Sequence, residues 1–131
     1  MKYFFIIFLL VFASPAMAEE DACTSIDTEF EMYDCLSSHY EEIEQLMMKT
    51  YQQALFQISE EGDEKKEKLF VDSQQNWVAF RETACLSETY DIEDEKQQPL
   101  MLRLCYMRHS ERRTEDIQEF YKTWEKGNKP K

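Results

Sequence analysis

Four cysteines carry the clearest chemical signal in this chain: Cys23, Cys35, Cys85 and Cys105. Cysteines in a small protein form disulfides or, as thiolates, hold zinc. Structural zinc sites usually take their cysteines in close pairs such as Cys-x-x-Cys, and the sequence contains no such pair. The even number and the wide spacing favour two disulfides, so we expect no metal and no cofactor.

Catalysis has few candidate groups in the sequence. His39 and His109 fall on separate predicted helices, and no serine or free-cysteine nucleophile motif accompanies either of them. Neighbouring carboxylates arise by chance in a chain with 27 acidic residues. The acidic segment 90–95 lacks the alternating ligands and the central glycine of a calcium-binding EF-hand loop. We therefore expect a protein that is not an enzyme, with a hydrolase as the less favoured alternative.

Residues 1–18 have the pattern of an export signal. Lys2 is followed by the apolar run 3–13, and the segment 16–18, Ala-Met-Ala, gives the small-x-small pattern that precedes signal-peptidase cleavage. As a helix the run would reach only about 16 Å, about half of a ~30 Å hydrocarbon core. We expect a mature single domain of residues 19–131 in the bacterial periplasm or medium, with no stable membrane anchor.

The chain is strongly acidic. It has 15 Lys and Arg against 27 Asp and Glu, and loss of Lys2 with the signal makes the formal charge of −12 one unit more negative. Such a charge disfavours nucleic acid and anionic membrane surfaces as partners. It favours a basic protein partner, although the acidity could also serve solubility alone.

Helical signals dominate the mature segment. Thr28 and Glu31 form a capping box at the start of a first helix. Gly62 can end that helix, Asp63 can cap a second, and Pro99 suits the first turn of a third. No segment alternates β-branched with polar residues as a strand would. The sequence therefore predicts an all-α fold, a three-helix antiparallel bundle stapled by two disulfides.

Apolar residues at helical spacing predict which faces are buried. On the first helix the predicted stripe is Met32, Cys35, Leu36, Tyr40, Ile43, Met47, Tyr51, Ala54, Leu55 and Ile58. On the second it is Leu69, Phe70, Ser73, Trp77, Phe80, Ala84 and Cys85.

The predicted layout selects one of the three possible disulfide pairings. A short connection makes the second and third helices antiparallel. Cys85 lies ten residues before Glu95 and Cys105 ten residues after it, so the two should stand at similar heights on this hairpin. We therefore predict the bridges Cys85–Cys105 and Cys23–Cys35.

Three stretches of the chain form a recognisable pattern. One is Cys23 with segment 31–35, and the second is segment 74–85, which matches Gln-x-x-Trp-x-x-aromatic-Arg-x-x-x-Cys. The third is Cys105 with Ser110 and segment 113–117. Together they resemble the LprI-like lysozyme-inhibitor family of small exported bacterial four-cysteine proteins, over about residues 23–120. The loop between the last two cysteines departs from the family pattern, because it is acidic and lacks glycine.

The resemblance implies inhibition of a lysozyme or a related peptidoglycan-cleaving enzyme by covering its cleft. Gln74, Trp77 and Arg81 share one helical row, and we interpret them, with Arg113, as structural. Each arginine should lie on an aromatic ring and pair with a carboxylate or a helix-end carbonyl.

For contact with the partner we name the loop carboxylates Asp91, Glu93, Asp94 and Glu95. The alternatives are an immunity-type or envelope-assembly protein that binds another periplasmic partner, and a structural envelope protein without inhibitory activity. The sequence leaves the oligomeric state open.

Overall fold

The described part of the chain is mostly helical. A computed structural model describes residue 23 and residues 26–127, without the side chains of residue 29 and residues 121–127. This part contains α1 (Glu29–Glu60), α2 (Glu64–Glu88) and α3 (Gln97–Gly127), and no strand. The predicted all-α class is confirmed. The predicted signal peptide, residues 1–18, lies outside the described residues.

The predicted cap at Thr28, the helix end at Gly62 and the cap at Asp63 are confirmed. The Thr28 hydroxyl accepts a hydrogen bond from the Glu31 amide at 3.4 Å and donates one to the Glu31 carboxylate at 2.6 Å. Gly62 takes a left-handed φ of 73° after α1, a conformation that glycine adopts without steric penalty. Asp63 then accepts from the Lys66 amide at 3.0 Å and caps α2.

The start of α3 depends on Asp94. Its carboxylate accepts from the amides of Lys96 at 2.9 Å and Gln97 at 3.4 Å, and its carbonyl accepts from the Gln98 amide at 2.9 Å. These are the bonds of a helix N-cap. Pro99 lies in the first turn of α3, as predicted.

The three helices run up, down and up. Side-chain pairs between α1 and α3 advance in step along both helices, from Tyr33–Arg103 to Glu44–Ser110, so these two helices are parallel. They also form the closest pairing in the bundle. Helix α2 is antiparallel to both. No helix in the described range is long and apolar enough to cross a membrane.

Both predicted disulfides are confirmed. Cys23 pairs with Cys35 and Cys85 with Cys105, each with a Cα–Cα distance of 5.7 Å. The first joins the chain before α1 to the first turns of that helix. The second joins the last turn of α2 to α3. Both bridges therefore lie at the same end of the bundle.

The predicted buried faces are right for α1 and partly wrong for α2. Every residue of the α1 stripe is buried or half-buried, and Leu36, Met47, Ala54 and Ile58 are at most 2% exposed. On α2, Leu69 is 61% and Phe80 58% exposed, and Ser73 is exposed too. The inward face of α2 keeps the other predicted residues and adds two polar side chains.

Those inward residues of α2 are Gln74 and Arg81, with Phe70, Trp77, Ala84 and Cys85. The helix turns this row to the core because α1 and α3 offer hydrogen-bond partners there, which a purely apolar row would leave unsatisfied.

Candidate functional site

A polar network joins all three helices halfway along the bundle. The Arg81 guanidinium of α2 donates to the Glu44 carboxylate of α1 and, at 2.6 Å, to the Ser110 hydroxyl of α3, and Ser110 also donates to Glu44. The side chains of Arg81 and Glu44 are 12% and 24% exposed. An ion pair at this depth stabilises only when its remaining polar atoms are also satisfied.

Two aromatic rings also lie against the Arg81 guanidinium group. The Arg81 guanidinium lies 4.8 Å from the Trp77 ring centre and 5.3 Å from that of Tyr106, within the range of cation–π attraction. Its Nε atom is buried and has no hydrogen-bond partner among the described residues. Burial, with a smaller contribution from Glu44, raises the pKa of the nearby Tyr40 hydroxyl, so that phenol stays protonated.

A second arginine lies near Trp77 one layer further from the disulfides. Arg113 Nε donates to the Gln74 side-chain oxygen at 2.9 Å, and its Nη2 donates to Ser73 at 3.2 Å. The Gln74 amide nitrogen in turn lies 3.3 Å from the Met47 sulfur. Burial lowers the pKa of Arg113, an effect that Asp116 partly opposes. Arg113 therefore pairs with neutral oxygens, unlike Arg81.

The four motif residues therefore meet at one place. Gln74, Trp77, Arg81 and Arg113 form a single cluster in the interior of the bundle, with Trp77 within 5.7 Å of both guanidinium groups. The polar side chains of Gln74, Arg81 and Arg113 form their hydrogen bonds with neighbouring helices of the bundle, which leaves little of the cluster to contact a ligand.

The carboxylate that completes this network, Glu44, was not predicted from the sequence, because the predicted stripe of α1 contains only apolar residues. Its position held a signal, because it lies four residues after Tyr40 and three before Met47, in line with the buried stripe. A carboxylate in such a row requires a buried cation on a neighbouring helix.

The four loop carboxylates lie elsewhere, at the turn between α2 and α3. Asp91, Glu93, Asp94 and Glu95 are all exposed. We call residues 89–96 the acidic turn. Asp94 has a structural part as well, since it caps α3, whereas no hydrogen bond within the described structure engages the carboxylates of the other three.

The backbone of the acidic turn is fixed at its α2 side. Thr89 is 2% exposed, and its hydroxyl donates to the Cys85 carbonyl at 2.9 Å. Beside the Cys85–Cys105 bridge, Arg108 donates to both oxygens of Glu88, at 2.9 and 2.6 Å. These hydrogen bonds lower the pKa of the Glu88 carboxyl. The turn therefore projects from a cross-linked platform.

Each histidine lies beside one disulfide. His39 is near Cys23 and Cys35, and His109 is near Cys85 and Cys105, with the potential ligand atoms of each trio within 4.8 Å of one another. The sulfur atoms in both trios are bonded to each other, so they are not the thiolates that hold zinc.

Charge is distributed unevenly along the bundle. We divide it at the Arg81 network into a disulfide half, residues 27–42 and 82–108, and an open half, residues 43–81 and 109–120. Counted along the sequence, the disulfide half has 12 acidic and 3 basic residues, a net charge of −9. The open half has 11 acidic and 7 basic residues, a net charge of −4. The acidic turn thus belongs to the more negative half.

The open half carries an apolar groove of about 430 Å³. Ile58, Phe70 and Ile117 form part of its lining, and the exposed side chains of Leu69 and Phe120 line it as well. Lys66, Arg113 and Asp116 also line the groove, so it has no single sign of charge.

The fold and these surfaces define a small disulfide-bonded helical domain whose motif residues are used in packing and whose exposed surface is acidic. The sequence model of the family described as Lysozyme inhibitor LprI matches residues 20–117, and the chain belongs to this family. Comparison with curated proteins and with solved structures gave no match.

Proposed function

We propose that this protein binds a lysozyme or a related peptidoglycan-cleaving enzyme and inhibits it by covering the catalytic cleft. Membership of the LprI family supports an inhibitor, which needs no catalytic groups of its own. The observation that carries the proposal is the charge of −9 on the disulfide half. Lysozymes are typically basic, so this half would steer them by long-range attraction.

The contact surface in this proposal is the acidic turn. Asp91, Glu93 and Glu95 are exposed and take part in no hydrogen bond of the described structure, so they are available to a basic partner. Asp94 contributes its charge while it caps α3.

The proposal includes export. Removal of residues 1–18 would leave the single domain 19–131 in the periplasm or the medium, where disulfides form and persist. The same compartment holds peptidoglycan and the enzymes that cleave it.

The test is a lysis assay with the purified oxidised domain against a panel of basic lysozymes. We expect slower lysis of cell walls with at least one of them, and weaker inhibition as salt rises because screening shortens the range of the attraction. Absence of inhibition across the panel at high micromolar domain would contradict the proposal.

A pair of charge-matched variants locates the contact. The first is Asp91→Asn/Glu93→Gln/Glu95→Gln, and the control is Glu60→Gln/Glu64→Gln/Glu115→Gln in the open half. Both remove three exposed negative charges. We expect the first to reduce the association rate at low salt about tenfold and the control to change it much less.

A further inference from the structure

Tyr90 stands out on the acidic turn because its ring faces solvent. The residue is 81% exposed, and Phe30, at 80%, is the only other large apolar residue in the described structure with a comparable value. Neither its ring nor its hydroxyl takes part in a ring contact or hydrogen bond with any described residue. An exposed ring buries almost no apolar area and therefore adds little to the stability of the domain.

The backbone on both sides of Tyr90 is held in place. Thr89, directly before it, is buried and bonded to the Cys85 carbonyl one turn back. The Ile92 amide donates to the Thr89 carbonyl at 3.2 Å and closes the turn after it. Asp94 then caps α3. Tyr90 is thus presented from a short turn anchored to a disulfide.

A ring in this setting suits a binding contact. Tyrosine is enriched among the residues that dominate binding energy, and it has only two side-chain torsions to restrict. A fixed backbone lowers the entropy lost on association further. Asp91 and Glu93, one and three residues further along the chain, are exposed and add negative charge to the same turn.

We propose that Tyr90 is the anchor residue of the acidic turn, inserting its ring into a recess of a basic enzyme of lysozyme type. This inference rests on the proposed function and assigns different roles to the carboxylates and to Tyr90 at that surface. The carboxylates accelerate encounter, and Tyr90 slows dissociation. A cleft that binds sugar rings is a suitable recess, because it presents apolar faces together with hydrogen-bonding groups to which the phenol can bind.

The test measures binding kinetics with the lysozyme that the wild-type domain inhibits most strongly. Tyr90→Ala is compared with Phe56→Ala, which removes an aromatic ring that is 64% exposed in the open half. Thermal unfolding of each variant checks the fold. We expect Tyr90→Ala to raise the dissociation rate about tenfold or more, with a nearly unchanged association rate. Phe56→Ala should leave both rates near those of the wild type, and Tyr90→Phe should separate the contribution of the hydroxyl from that of the ring.

Two negative results have different meanings. If the wild-type domain binds but Tyr90→Ala dissociates no faster than Phe56→Ala, the anchor role is wrong and the proposed function stands. If the wild-type domain binds no lysozyme of the panel, the proposed function and the anchor role are both overturned.

Discussion

The disulfide half and the open half of this bundle are built from the same three helices but stabilised by different means. In the disulfide half two covalent bridges fix the first turns of α1 and join α2 to α3. In the open half, stability comes from packing between the helices, and an apolar groove remains between them. The cross-linked half is also the more acidic one. The two disulfides hold this half together although its many like charges repel one another.

The Arg81 network lies at the boundary, and its loss should have the largest effect on stability. Glu44→Ala removes the carboxylate and leaves the Arg81 guanidinium buried without a counter-charge. We expect a loss of about 3–4 kcal/mol in the free energy of unfolding, measured by chemical denaturation. Glu82→Ala, an exposed carboxylate of α2, is the control and should change stability by less than about 0.5 kcal/mol. Similar values for the two variants would mean that the network does not stabilise the fold.

Removal of the Cys85–Cys105 bridge should come next. Replacing both cysteines by alanine removes a cross-link between residues 20 apart in the sequence. We expect the free energy of unfolding to fall by about 2–3 kcal/mol. Hydrogen exchange locates the effect. Amides of the acidic turn should lose protection first, while those near Met47 and Ala54 in the core of the open half should keep theirs until global unfolding. A uniform loss along the chain would remove the distinction between the halves.

The cap of α3 should have a smaller effect. Asp94→Ala deletes the acceptor of the Lys96 and Gln97 amides and should cost about 1 kcal/mol. Asp94→Asn keeps an acceptor oxygen, so it should stay within a few tenths of a kcal/mol of the wild type. Thermal unfolding of the two variants separates the cap from the charge. Equal destabilisation by both would show that the carboxylate acts through its charge instead.

The smallest expected effect is the titration of His109. Burial, reinforced by Arg108, Arg112 and Arg81 and opposed by Glu88, lowers the pKa of this imidazole below 6.5. The unfolded chain then binds a proton at a higher pH than the folded one, so stability rises with pH across this window and is lost as the pH falls through the folded pKa. Between about pH 7.5 and 5.5, the unfolding temperature of the wild type should fall more than that of His109→Gln. Parallel curves would mean that His109 titrates alike in both states.

Much of this fold could be predicted from the sequence because the signals were local. The cap at Thr28, the glycine at position 62 and the apolar period of α1 each fix a feature of one helix. The bridge between Cys85 and Cys105 followed from the hairpin geometry of two such helices.

The interior of α2 was predicted only in part. Gln74 and Arg81 were expected on one row with Trp77, and this row does face inward. Leu69 and Phe80 were also expected in the core, and both are exposed. Which row of a helix is buried depends on the partners that other helices supply, and the apolar count of that helix alone does not contain this information. The role of Asp94 in capping was also hidden, because the loop is so rich in acidic residues that none of them is distinctive in sequence.

The most direct test of the account is hydrogen–deuterium exchange of the oxidised domain alone and in complex with a lysozyme that it inhibits. It predicts added protection in segment 86–96, which contains the acidic turn and Tyr90, and little change in segment 56–73 around the apolar groove. Protection confined to segment 56–73 would contradict it, because the open half would then be the binding surface.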